Sequence, residues 1–148
     1  FLIANQLVPG SYVSLQSALA YYGLIPELVP LTTSVSTGRP FTYSTPLGEY
    51  DFRHIQVSWL HTYQRVDLGN HQWAFIATPE KALLDVVYLQ PGGDTEKYLR
   101  SLRLQALDRL DNGLLMRLAS IGKKPKLNRA VECIHQLMDE EATDYQIV

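Results

Sequence analysis

The dipeptide Thr78-Pro79 divides the chain into two kinds of sequence. From residue 28 to 77, short segments rich in β-branched and aromatic residues are separated by Gly and Pro, the pattern of strands. After Thr78 the apolar residues recur at helical spacing to the end. This order predicts an α+β fold: a mostly antiparallel or mixed sheet of about five strands flanked by helices, with a helical C-terminal part. The expected strands are LVPLTTSVS, PFTYS, GEYDFRHIQV, YQRVDLG and HQWAFIA. Thr37-Gly38-Arg39-Pro40 and Pro46-Leu47-Gly48 read as turns, and Leu68-Gly69-Asn70-His71 suits a hairpin.

Helices precede and follow the sheet. FLIANQL has a short helical pattern that Val8-Pro9-Gly10 ends, and Ser14 is placed to cap a helix over LQSALAYYG, with Gly23 at its left-handed end. Beyond Thr78, helices are expected over 79–89, 95 to about 110, 113–121 and 127–141. Asp94 is the expected cap of the second, with Leu99, Leu102, Ala106 and Leu110 as its apolar stripe. The expected division is a helix-flanked sheet core over 1–92 and a helical extension over 93–148 packed on it.

The stretch IATPEKALLDVVYL decides whether charged residues here do chemistry or build structure. Thr78 can accept a hydrogen bond from the first turn, and Pro79 suits the first helical position, where its missing N–H is not needed. Glu80 then lies where the helix dipole favours a carboxylate. On a helical wheel Lys81, Asp85 and Tyr88 share one stripe, read as an i,i+4 pair facing water. Glu80 falls inside the apolar arc, so it is expected to tie to a base on the strands, from Arg39, Arg53 or His54. Thr78, Pro79 and Glu80 are thus read as structural.

Thirteen basic against fifteen acidic side chains give a formal charge of -2, so a global positive field for nucleic acid is excluded and any phosphate contact must be local. The local candidate is GKKPKLNR, with Lys123, Lys124, Lys126 and Arg129; with Arg39 and Arg53 these are the expected binding residues. The single cysteine, Cys133, excludes an internal disulfide and fits a reducing cytoplasm. Neither a signal peptide nor an apolar run long enough for a membrane is visible.

Catalytic, cofactor and metal residues are not expected. The four histidines, His54, His61, His71 and His135, lack metal-ligand spacing, and Cys133 reads as a small core residue. A nuclease with two carboxylates and a lysine needs Glu-x-Lys on a strand, whereas Glu80 and Lys81 are adjacent on a helix. The enzymatic alternative is a metal-dependent nuclease or toxin-modifying enzyme using Glu80 with Asp85 or Asp51. A dimerisation module is the third reading.

SYVSLQSALAYYGLIPE, TSVSTGRP, TPLGEYDFRHI, IATPEKALLDVVYL and a Leu-Arg-Leu at 102–104 together resemble the C-terminal domain of AbiEi-like antitoxins, from type IV toxin-antitoxin, abortive-infection systems of bacteria. The resemblance spans about residues 3–130, and its motifs are apolar and turn-rich. It implies a regulatory domain that supports neutralisation of a nucleotidyltransferase-like toxin and operon autorepression. It also implies an N-terminal winged-helix domain that reads operator DNA. The apolar start Phe1-Leu2-Ile3-Ala4, without Met, is read as the start of a fragment that lacks that domain.

Overall fold

The computed structural model describes residues 1–26 and 30–147. Its helices are α1 (Leu2–Leu7), α2 (Leu15–Tyr21), α3 (Pro79–Leu89), α4 (Glu96–Ser101), α5 (Asn112–Gly122) and α6 (Pro125–Ile147). Its strands are β1 (Tyr12–Val13), β2 (Leu31–Ser36), β3 (Phe41–Thr45), β4 (Gly48–His54), β5 (Tyr63–Gly69) and β6 (Gln72–Ala77), with single 3-10 turns at Val57–Trp59 and Leu107–Arg109. The fold is α+β, as the change of pattern at Thr78-Pro79 predicts. Of the expected first strand, residues 28 and 29 lie outside the described residues.

The sheet is mixed, in the order β3-β4-β2-β1-β6-β5. β1–β2, β3–β4 and β5–β6 are antiparallel, while β1–β6 and β2–β4 are parallel. The sixth strand, β1, escapes the sequence pattern because two residues are too few to alternate. Asn5 extends it in space: its Oδ1 accepts from Phe75 N at 2.9 Å and its Nδ2 donates to Phe75 O at 3.4 Å. A side-chain amide from α1 thereby occupies backbone groups of β6 beyond the end of β1. The β5–β6 turn is as expected, with both Asn70 (φ 53°) and His71 (φ 60°) left-handed.

One apolar core runs from Ala4 to Ile134 and includes Tyr12, Leu19, Val35, Phe52, Trp59, Ile76, Leu83, Leu84, Leu115 and Leu127. Helix α3 lies within it, packed against α2, α5 and α6. The sheet and the helices after residue 93 therefore share one interior.

The expected helix from 95 to about 110 is broken after Ser101, because Arg103 (φ 58°) and Ala106 (φ 53°) are left-handed. The freed segment caps α2 instead. Gln105 N donates to Leu24 O at 2.8 Å, Gln105 Nε2 to Gly23 O at 3.2 Å and Arg109 Nη1 to Tyr22 O at 2.8 Å. These satisfy carbonyls that the end of a helix leaves open. The cap of α4 is Thr95, whose Oγ1 accepts from Tyr98 N at 3.2 Å, not Asp94. Asp94 lies one residue too early, and its carboxylate accepts from Arg129 Nε at 2.7 Å.

Candidate functional site

Helix α3 starts as its sequence predicts: Thr78 Oγ1 accepts from Lys81 N at 3.3 Å, and Pro79 occupies the first turn. Its stripe of Lys81, Asp85 and Tyr88 departs from the prediction. The wheel places Lys81 and Asp85 toward water, but the structure buries both, each at 0% exposure. Strand β1 and the Val57–Trp59 turn supply the groups that meet this face. A helix with apolar residues around most of its circumference is a buried helix, and its charges must then find partners inside.

Those partners form a closed set. Lys81 Nζ donates to Asp85 Oδ1 at 2.6 Å and to Tyr12 Oη at 2.8 Å, and lies 4.0 Å from the centroid of the Trp59 ring. Tyr12 Oη donates onward to Asp85 Oδ2 at 3.1 Å, and Ser14 Oγ donates to the same oxygen at 2.6 Å. The ammonium thus has a carboxylate, a phenol and an indole π face. The indole in turn stacks on Tyr88, with centroids 5.3 Å apart and planes 7° apart, and Lys124 Nζ lies 4.2 Å from the Tyr88 ring centroid.

Burial governs the titration of this cluster. It lowers the Lys81 pKa against the attraction of Asp85, and it raises that of Asp85 against Lys81 and the Ser14 and Tyr12 hydrogen bonds. Burial and the Asp85 charge push the Tyr12 phenol far above its ordinary value. His61, edge-on to Trp59 at 5.2 Å, has its pKa lowered by burial and then by Lys81. Perturbed groups gathered in this way can mark a site of chemistry, but the Lys81, Tyr12 and Ser14 donors are occupied within the cluster and covered. The arrangement holds α3 in register with β1.

The network also accounts for the start of α2. Ser14 occupies the cap position as expected, yet its hydroxyl makes no cap bond because it goes to Asp85. Leu15, next to it and buried, is left-handed at φ 58°. Such backbone costs about 1–3 kcal/mol and persists where the surroundings enforce it.

Glu80 is buried, as its place on the wheel implies, but its partner is not an arginine. Its Oε2 accepts from Asp111 N at 2.9 Å. Asp111 caps α5 through Oδ1, which accepts from Leu114 N at 3.1 Å. The carboxylate is therefore satisfied by an open backbone donor at a helix start, which needs no cation. Among the described residues, three or more His, Cys, Asp or Glu side chains do not come together to hold a metal.

The six expected binding residues do not form one patch. Arg39 is exposed in the β2–β3 turn. Around the C-terminal end of α3, Lys126 Nζ donates to Gln90 O at 3.1 Å, Arg129 pairs with Asp94 and Lys124 covers Tyr88. Arg53 lines a crevice there with Gln90 and Tyr98. Cations suit this end of a helix, where carbonyls are unpaired. Lys123 is exposed and left-handed at φ 56°, ending α5.

No family model, curated protein or solved structure matches this chain. The site therefore rests on its own geometry. The part that Tyr12, Ser14 and Trp59 play in the Lys81–Asp85 cluster is not legible locally, because they lie 69, 67 and 22 residues before Lys81. The available signal was the near absence of a polar face on α3.

Proposed function

We propose that this chain is a non-catalytic regulatory domain of the kind its sequence resembles. In this reading it acts in the cytoplasm, supports neutralisation of a nucleotidyltransferase-like toxin and assists autorepression through a winged-helix domain that binds operator DNA. The observation that carries a binding role is the closure of the Lys81–Asp85 network. Its ionisable groups are spent on joining helix to sheet, which leaves exposed side chains to meet a partner. Arg39, Arg53 and Lys123 supply exposed positive charge at separate places, while Lys124, Lys126 and Arg129 are engaged around the C-terminal end of α3.

The enzymatic alternative asks Glu80 to act with Asp85 or Asp51. Glu80 is engaged with the Asp111 amide and Asp85 with Lys81, whereas Asp51 accepts from Thr42 Oγ1 at 3.0 Å on another pair of strands. The deciding experiment co-expresses the chain, with and without a winged-helix domain, beside the toxic product of its neighbouring gene. Restored growth that falls with R39E/R53E/K123E is expected, with those variants melting like wild type. Growth arrest despite folded, abundant protein in both forms sinks the proposal. So does magnesium-dependent cleavage of nucleic acid that disappears in Glu80→Gln.

A further inference from the structure

Strand β5 is one edge of the sheet, and six of its seven residues are exposed. The phase of its hydrogen bonds is fixed at two places. Thr78 N donates to Thr62 O at 3.1 Å, so the polar groups of residue 62 point toward β6. Phe75, opposite Arg65, gives its own N–H and C=O to Asn5 on the far side of β6. Inward and outward groups alternate along an antiparallel strand. The N–H and C=O of Tyr63, Arg65 and Asp67 therefore point out from the open edge, and those of Gln64 and Val66 are used inside.

We propose that this edge is a self-association surface, and that two copies of the chain join β5 to β5 in one continuous sheet. The strand YQRVDLG is complementary to itself about a two-fold axis through Val66. In that register Arg65 lies opposite Asp67 of the second copy, and Asp67 opposite its Arg65. These are the outward-pointing positions, so each such pair exchanges two backbone hydrogen bonds while its side chains form a cross-strand ion pair. Val66 meets its own equivalent on the other face, beside Leu68.

The neighbouring registers are disfavoured. A slip that centres the axis on residue 65 sets arginine against arginine, and centring on residue 67 sets aspartate against aspartate. A slip by one residue opposes outward groups to inward ones. Charges on an edge strand usually keep other strands away; here one of each sign, two residues apart, admits one partner in one register. Arg65 is already extended on that face, its guanidinium 4.6 Å from the centroid of the Trp73 ring. The rings of Tyr63 and Phe75 pack edge to face, their centroids 5.7 Å apart. The proposal rests on the hairpin alone and stands apart from any toxin.

Sedimentation velocity over a wide range of protein concentration tests it. Wild-type chain is expected to move from chain mass to twice that mass. R65D and D67R, each folded by circular dichroism, should self-associate at least tenfold more weakly, about 1.4 kcal/mol. Mixing the two variants sets an acidic strand against a basic one, and the double-mass species should return. Arg65→Pro removes an outward N–H and leaves the β5–β6 ladder intact, so it should stay monomeric. Wild-type chain that remains monomeric at its solubility limit overturns the proposal. Single variants that associate like wild type, or a mixture that does not recover, overturn it as well.

Discussion

At the scale of single residues, the buried Lys81–Asp85 pair shows how an i,i+4 pair can leave the surface. Bringing two charges out of water is costly, and their attraction offsets it only when the remaining hydrogen bonds are made. Tyr12 and Ser14 make those bonds, and the Trp59 ring lies against the ammonium. Lys81→Met strands the Asp85 carboxylate and is expected to lower stability by about 3–5 kcal/mol in urea unfolding. The double variant K81M/D85L removes both charges and should recover part of that loss; a cost equal to the sum of the single changes would show that the two residues act independently. His61 supplies a pH dependence. Its folded pKa lies below the ordinary 6.5, so the unfolded chain binds the proton more readily. Its contribution is present above that value and is lost as pH falls through 6.5 toward the folded value. Melting temperature should drop between pH 7 and pH 5 by more in wild type than in His61→Gln.

At the scale of elements, helix ends hold the molecule together. Thr78 caps α3, Glu80 in its first turn reaches Asp111, and Asp111 caps α5. The junction of α5 and α6 has a different constraint. A Cβ on Gly122 would collide with Leu127 and approach Trp59 Cζ3 to 3.0 Å. Trp59 cannot give way freely because Lys81 lies over its ring and Tyr88 stacks on it. Gly122→Ala is therefore expected to destabilise by about 1–3 kcal/mol, read by thermal melting. Lys123→Gly relieves a left-handed backbone and should stabilise by about 0.5–1 kcal/mol. In the co-expression assay the same change should weaken toxin rescue, which separates binding from stability at this position. The break between α4 and the Leu107–Arg109 turn is illegible because the stripe of Leu99, Leu102, Ala106 and Leu110 fits a continuous helix; the broken segment closes the end of α2 through Gln105 and Arg109.

At the scale of the whole molecule, the sheet and the C-terminal helices have one core. Helix α3 is covered by α5 and α6, so the piece 1–92 would expose the face that they bury. That piece is expected to lack a cooperative melt, while the full chain should unfold in one transition by far-UV circular dichroism and by Trp59 fluorescence in a Trp73→Phe background. Two separated transitions in the full chain would establish independent units. Among the described residues, no helix is long and apolar enough to cross a membrane.

Local chemistry alone determined the α+β class, the helix start at Thr78-Pro79, the Asn70-His71 hairpin turn and the burial of Glu80. Each follows from a spacing or a cap within a few residues. The tertiary structure decided the rest. A helical wheel gives the direction of Lys81 and Asp85 relative to their neighbours, but it does not say what packs against that direction. Tyr12 and Trp59 come from distant segments and turn an apparent water-facing stripe into an interior one. Likewise, two residues become β1 only because β2 and β6 flank them, and Glu80 exchanges an expected arginine for an amide because α5 begins beside it.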